Sequence, residues 1–350
     1  RVYQGYPRRV LIDQLGAYDT ALTLLQDFFP ESDITQNPQV SSQAGQRWIF
    51  NEIGLCLTNL GRLAEAPSLY EQNVVCCIKA EDWVNASIGY QNLAELYSYL
   101  GDLSASAAAA ESALAYACRV VNEPQAKKFA SDSLAYQGWA AHLQGKLDAA
   151  QTAFQQAEQI HRQIDSGNQC LYSLWGIIHA KHLMRRGDTD YARRITEANR
   201  IICKRNHWQN DLSFCHRLLG DLDAAHNPQT AQTHYNEALQ IARSISKKIV
   251  LIEALLAWGR WVVRQREATA AASGLEEALG YAVEGGYRIY EADIRVTLAC
   301  MHRAQGNLGA AQREAERAQR MSQAMGYYWG QKDAAEVLEE LATVQAGQQT

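Results

Sequence analysis

Proline is scarce in this chain: six among 350 residues. Proline interrupts helix interiors, so its rarity leaves room for long, unbroken helices. No apolar run approaches the ~20 residues that span a bilayer, which excludes a membrane partner. No basic-then-apolar leader follows Arg1, and we expect a cytoplasmic piece cut from a longer soluble chain. A strong charge of either sign is also lacking: 33 Lys and Arg stand against 38 Asp and Glu, a net −5. An electrostatic nucleic-acid binder would be basic, so nucleic acid is not an expected partner. Cysteines are present, but no C-x-x-C pair is found among the eight (Cys56, Cys76, Cys77, Cys118, Cys170, Cys203, Cys215, Cys300). Zinc-ribbon and thioredoxin-type readings fall away, and buried thiols in a reducing compartment are expected instead.

Chemical motifs are missing as well. The Gly-Lys pair at Gly145-Lys146 is followed by Leu147, so no phosphate-binding P-loop is formed. No G-x-G-x-x-G, nucleophile elbow, H-E-x-x-H or EF-hand loop is found either. No enzyme activity and no cofactor is expected. His179 and His182 stand i, i+3 on one helix, a spacing that lets two imidazoles meet one ion, but a third ligand is not supplied. They read as packing residues, as do Cys76 and Cys77. The carboxylates Glu52, Glu95, Asp211 and Asp293 could share a surface, yet no spacing pairs two of them across a pocket.

What the chain does have is a hydrophobic content of 47% and an internal repeat. Turn-like glycines recur at Gly16, Gly61, Gly101, Gly145, Gly187, Gly220 and Gly306, mostly followed by Asp, Asn, Arg or Lys and then Leu. Five residues later stands a small residue (Ala21, Ala66, Ser106, Ala150, Ala192, Ala225, Ala311). Seven residues earlier stands another (Gly54, Ala94, Gly138, Ala180, Ser213, Ala299). A further unit keeps Gly259 and Ala271, with Arg266 in the glycine's place, so Gly16 to Gly306 makes seven steps of about 41 residues. Small residues in mid-helix let two helices approach closely. The glycine ends the first helix, where a left-handed residue costs least without a Cβ. An aromatic or apolar residue follows four past the alanine, as in Tyr70, Phe154, Tyr235 and Leu275. One hairpin cannot bury its apolar face alone, so the units must stack.

This pattern resembles the tetratricopeptide repeat, over roughly residues 6–345. The period is longer than the usual ~34 residues. It is similar to the long-helix repeats of kinesin light chains and of bacterial STAND-class signalling ATPases. Segments 85–97 and 171–176 resemble the carboxy-terminal sensor arrays of the latter. The resemblance implies an all-α, right-handed α-solenoid of about eight helical hairpins. Residues 1–46 would form a truncated first repeat and a long connection, 47–327 the repeats, and 328–350 a capping helix and tail. Between Gly220 and Ala231 six extra residues, with Asn227-Pro228, suggest a loop or broken helix start.

In such arrays the first helix of each hairpin lines the concave face. Carried over by position, the residues six before each glycine are Leu55, Glu95, Trp139, Lys181, Phe214, Arg260 and Cys300. Nine before stand Glu52, Asn92, Tyr136, Ile178, Asp211, Ala257 and Thr297. Two and three before add Tyr99, His142, Met184, Arg185, Arg217 and Arg264. The candidate binding set is therefore Glu52, Asn92, Glu95, Tyr99, Tyr136, Trp139, His142, Lys181, Arg185, Asp211, Phe214, Arg217, Arg260 and Arg264. It runs from acidic and amide residues through aromatics to basic ones, and aromatic and Arg side chains are the usual interface anchors. The same residues could instead pack repeats together, and the basic stretch 181–205 could be a solvated helix face. An Hsp-tail clamp does not fit, because Trp48 stands where its Lys would be and Glu52 where its Asn would be. The resemblance implies a protein or peptide ligand on the concave face, sensed on behalf of domains of a larger parent chain. A small-molecule sensor and an assembly scaffold are the alternatives. A long wet groove would favour a protein, and a compact pocket a small molecule.

Overall fold

The computed structural model describes residues 11, 12 and 16–348. Among them are sixteen α-helices and no strand. The first helices of successive hairpins are α2 (Gln43–Leu60), α4 (Trp83–Leu100), α6 (Glu123–Leu143), α8 (Ser173–Arg186), α10 (Gln209–Asp223), α12 (Lys248–Arg264) and α14 (Arg288–Ala304). Each pairs with the helix that follows it: α3 (Pro67–Lys79), α5 (Leu103–Ala117), α7 (Leu147–Ile164), α9 (Thr189–Asn206), α11 (Pro228–Arg243), α13 (Ala268–Gly285) and α15 (Leu308–Met325). These seven hairpins stack in chain order, preceded by α1 (Tyr18–Gln26) and followed by α16 (Tyr328–Gln348). The partner expected for α1, before Gly16, lies almost wholly outside the described residues.

The turn dipeptide has two jobs. Gly61, Gly101 and Gly187 close α2, α4 and α8 in the left-handed region. The Asp or Asn behind the glycine then accepts a hydrogen bond from the third residue of the second helix: Asp102 from Ala105, Asp188 from Tyr191, Asn307 from Ala310. Such a cap contributes about 1 kcal/mol. Arg266 takes the glycine's place in full, with φ +65°.

One turn was misplaced by the sequence pattern. Gly220 lies inside α10 and closes no helix. A Cβ there would lie 2.7 Å from the Tyr235 ring, just as one on Gly54 would lie 2.7 Å from the Tyr70 ring. Gly220 is thus the small residue of its unit, and Asn227 holds the turn position seven residues later, capping α11 through the amide of Thr230. The "extra" residues after Gly220 are the last turn of α10 and the link to α11. Asp221 and Leu218, not Phe214 and Asp211, therefore occupy the two columns assigned from that glycine.

The coil also closes on itself. Tyr287 donates its hydroxyl to the Thr58 carbonyl at 3.0 Å, and the Trp329 indole donates to the His142 carbonyl at 3.1 Å. These partners are 229 and 187 residues apart, about five repeats. Tyr328 presses against Gly145, where a Cβ would lie 2.5 Å from its ring. A solenoid whose repeats touch only their neighbours would flex freely; here one superhelical turn packs on the next.

The cysteines are free; Cys56, Cys77, Cys203 and Cys215 are buried, whereas Cys118 is exposed. No helix among the described residues is long and apolar enough to cross a membrane.

Candidate functional site

The interior of the coil contains two neighbouring spaces of very different size. The smaller, about 20 Å³, is bounded by Glu95, Tyr99 and Tyr136 together with Phe214, Glu253 and Tyr290. Here the Tyr99 hydroxyl donates to Glu95 at 2.6 Å, and the Tyr99 ring meets Tyr287 and Tyr290 at 5.6 and 6.2 Å. Tyr287, which precedes α14, and Tyr290 within it fill the concave face of α4 and α6, and what remains cannot admit a peptide.

The larger space holds about 400 Å³. Helix α6 contributes Trp139 and His142 to its wall, α8 contributes Lys181 and Arg185, and α10 contributes Arg217 and Asp221. Glu253, Arg260 and Arg264 line it from α12, spaced i, i+7 and i+11 and so on one face of that helix. Tyr290 and Asp293 from α14, Tyr327, and Trp329, Asp333 and Glu336 from α16 complete the wall.

Glu253 is the electrostatic hub. Its carboxylate takes Lys181 at 2.6 Å, Arg217 at 2.9 Å and the Tyr290 hydroxyl at 2.6 Å. Burial opposes its charge, but Lys181 and Arg217 outweigh that and hold its pKa at about 2. Lys181 in turn lies 5.5 Å from the Trp139 ring centre and 5.6 Å from that of Phe214. Burial lowers the Lys181 pKa and Glu253 opposes it, while the rings add cation–π attraction to the ammonium. Arg217 also reaches Asp221 at 2.8 Å. Across the cavity mouth, Arg185 makes a two-pronged pair with Asp333 at 2.6 and 3.0 Å and lies 4.8 Å over the Trp329 ring. Asp293 has the opposite fate to Glu253: burial pushes its pKa up to about 6, despite Arg260 and Arg185 nearby.

The remaining sequence candidates are spent elsewhere. Glu52 is buried beside the amide of Asn51, and Asn92 donates to Asn51 at 2.8 Å. Asp211 accepts from the Ser173 hydroxyl. None of these three lines either space. His182 shares a hydrogen bond with His142 at 3.1 Å, and His179 stacks on Phe154 at 4.7 Å. Burial keeps His142 neutral, its pKa well below the usual value. Among the described residues no group of three potential metal ligands comes together.

Sequence reasoning missed Glu253, Tyr290, Trp329 and Asp333. Glu253 was within reach: it stands six residues before Gly259, in the same column as Asp293 before Ala299 and Phe214 before Gly220. Counting from the small residue would have exposed that column. Trp329 and Asp333 gave no such signal, because they arrive from the next superhelical turn.

No family model and no curated protein matches the chain. Solved structures do. A Rap protein complexed with Competence and Sporulation Factor superposes over 96% of this chain and 95% of its own, with a TM-score of 0.55 and 11% identity. The Cut9–Hcn1 assembly of the APC/C matches 93% of this chain with a TM-score of 0.55 and 12% identity, and the chain spans 52% of that partner's length. The fold is a tetratricopeptide-repeat solenoid. A STAND protein with a tetratricopeptide repeat sensor from Pyrococcus horikoshii is more distant, at a TM-score of 0.48 and 15% identity over 91% of this chain. At these identities the likeness is one of fold. Within the tetratricopeptide-repeat architecture, the charged cavity is a property of this chain's own side chains.

Proposed function

We propose that this chain is a recognition module that binds a short peptide or protein segment inside its superhelix. We further propose, from the resemblance of its repeats, that it is the ligand-sensing part of a larger bacterial, cytoplasmic signalling or defence ATPase of the STAND class. The observation that carries the binding reading is the cavity of about 400 Å³ lined by Trp139, His142, Lys181, Arg185, Arg217, Arg260 and Arg264. All but Arg217, which was counted from the misplaced Gly220 turn, stand at the family's contact positions, gathered around one cavity rather than spread along an open groove. Recognition suits the site better than catalysis, because Glu253 and Asp221 are held in ion pairs and His142 in a shared hydrogen bond.

Size limits the ligand. A helix ~10 Å across rises 1.5 Å per residue, so about one turn would fill 400 Å³. The occupant is then a few extended residues, such as a chain terminus, rather than a docked helix. The same enclosure supports a second reading, a small-molecule sensor, since the volume falls within the usual ~300–1,000 Å³ of small-ligand sites.

A photo-crosslinking residue placed at Met184, on the cavity wall, tests the reading in host lysate against the same probe at the exposed Ile201. Peptide or protein fragments identified by mass spectrometry at position 184 alone are expected. Capture of a small metabolite there would shift the function to the second reading, and equal capture at both positions would overturn the site.

A further inference from the structure

The cavity is rich in both charges, yet they are not paired evenly. Of its five cations, three are engaged: Lys181 with Glu253, Arg217 with Glu253 and Asp221, and Arg185 with Asp333. Arg260 and Arg264, one turn apart on α12, line the same wall, and neither makes an ion pair among the described residues. Of the two acids left over, Asp293 has Arg260 nearby but makes no ion pair with it. Asp293 accepts the Tyr327 hydroxyl at 3.1 Å, and Glu336 sits on the exposed rim. A third donor is unsatisfied nearby, since the Nε–H of Arg217, a side chain 9% exposed, is buried without an acceptor.

Arg260 is half-buried and Arg264 exposed, so both keep donors open to a ligand, while the buried Arg217 Nε–H has lost water without gaining an acceptor, a cost that an incoming anion would remove. Geometry adds to this. Arginine offers a planar fork suited to the two oxygens of a carboxylate or a phosphate. The indoles of Trp139 and Trp329 both pack on His142 at the same wall, with ring centres 5.1 and 5.3 Å from it. They give an apolar surface on which the rest of a ligand can lie.

We infer that the cavity binds the oxyanion group, carboxylate or phosphate, of a short ligand, with Arg260 and Arg264 as its donors. This rests on the recognition reading above and names the ligand chemistry that reading leaves open. Arg185 and Lys181 set the field but do not release their own acids, so the unpaired arginines are the ones that discriminate. Anionic ligands would also be drawn to the opening from a distance, an effect that salt screens.

Titration of the full chain with triglutamate, trilysine and inorganic phosphate at low ionic strength, read by calorimetry and tryptophan fluorescence, tests the assignment. Triglutamate is expected to bind saturably and trilysine not to bind, and 0.5 M salt should weaken the anion. The double variant Arg260→Gln with Arg264→Gln should lose at least about tenfold in affinity. Neither side chain holds an ion pair, so this variant should keep its fold, checked by helicity and melting. The control Arg313→Gln with Arg320→Gln, on the exposed face of α15, should bind as wild type does. Phosphate binding as tightly as triglutamate would assign the site to a phosphorylated ligand; triglutamate alone would assign it to a peptide carboxylate. Trilysine binding equally well, undiminished affinity in the folded double variant, or no binding of either anion would overturn the inference. A neutral peptide captured from Met184 alongside any of those results would leave the peptide-binding reading standing. Phosphate binding with no peptide captured would reject that reading and keep the oxyanion site.

Discussion

The two halves of the coil's inner face are built from the same helix positions and have opposite fates. On α4 and α6, Glu95, Tyr99 and Tyr136 are covered by Tyr287 and Tyr290, leaving about 20 Å³. On α8, α10 and α12, the corresponding stripe opens onto about 400 Å³ and is bridged only at its edge, by Trp329 and Asp333. Interface-type composition therefore did not separate a contact surface from a seam. The seam pairs tyrosine with tyrosine, which can bury ring against ring and send a hydroxyl to Glu95 or Glu253. The open half pairs charge with charge, and ions that must keep their partners or their water do not pack to zero volume.

The strongest way to break this contrast is to remove its hub. Glu253→Gln leaves Lys181 and Arg217 without their shared carboxylate and should cost about 3–5 kcal/mol in urea unfolding. Its pH signature can be worked out. The folded pKa, about 2, lies below the ordinary 4.5, so the stability from this group is complete above pH 4.5 and is lost as pH falls toward 2. Asp293 runs the other way. Its pKa is raised from 3.8 to about 6, so stability falls as pH rises through that interval. Asp293→Asn should therefore stabilise the protein above pH 6 and remove this decline, while Glu253→Gln removes part of the acid limb. Identical pH profiles for the two variants would contradict the opposed roles.

A somewhat smaller effect should separate the cavity bridge from the seam. Trp329→Ala deletes a buried ring and its bond to His142, and should cost about 3 kcal/mol. Tyr287→Phe removes only the bond to Thr58, worth about 1 kcal/mol. Hydrogen exchange should then rise in α16 and α6 for the first variant and near α2 and α14 for the second. Global loss of protection in both would mean that the two contacts are one cooperative unit.

The smallest contrast lies in the turns. Gly187→Ala should cost about 1 kcal/mol, from its left-handed backbone alone. Gly145→Ala should cost a further 1–3 kcal/mol or so, because the new methyl would press into Tyr328. Equal thermal shifts would show that the superhelical turns are not in firm contact there.

Much of this fold is legible in the sequence. The small-residue and glycine columns located the hairpins apart from the Gly220 turn, and Arg266, read in a turn glycine's place, has φ +65°. The failure at Gly220 has a plain cause: a glycine satisfies both columns, close packing and chain reversal, and Asn227 can do the second job without one. The candidate site was half legible. Trp139, Lys181, Arg185, Arg260 and Arg264 were named by carrying over the contact positions that the tetratricopeptide resemblance implies, and Arg217 was named from the misplaced Gly220 turn yet lines the cavity all the same. Glu52, Asn92 and Asp211 obeyed the same arithmetic and were consumed by local hydrogen bonds.

The sequence by itself determined most of what depends on neighbours in the chain: the repeat, its close-packed small residues and the pairing of each hairpin, with the α10–α11 turn displaced at Gly220. These rest on interactions within about one repeat, whose partners lie at fixed offsets. Only the tertiary structure decided where the inner face is sealed and where it is open. That depends on how small rotations per repeat accumulate over about five repeats until Tyr287 meets Thr58 and Trp329 meets His142. No periodicity records that sum, because each hairpin contributes only a small angle set by side-chain volumes at its interface.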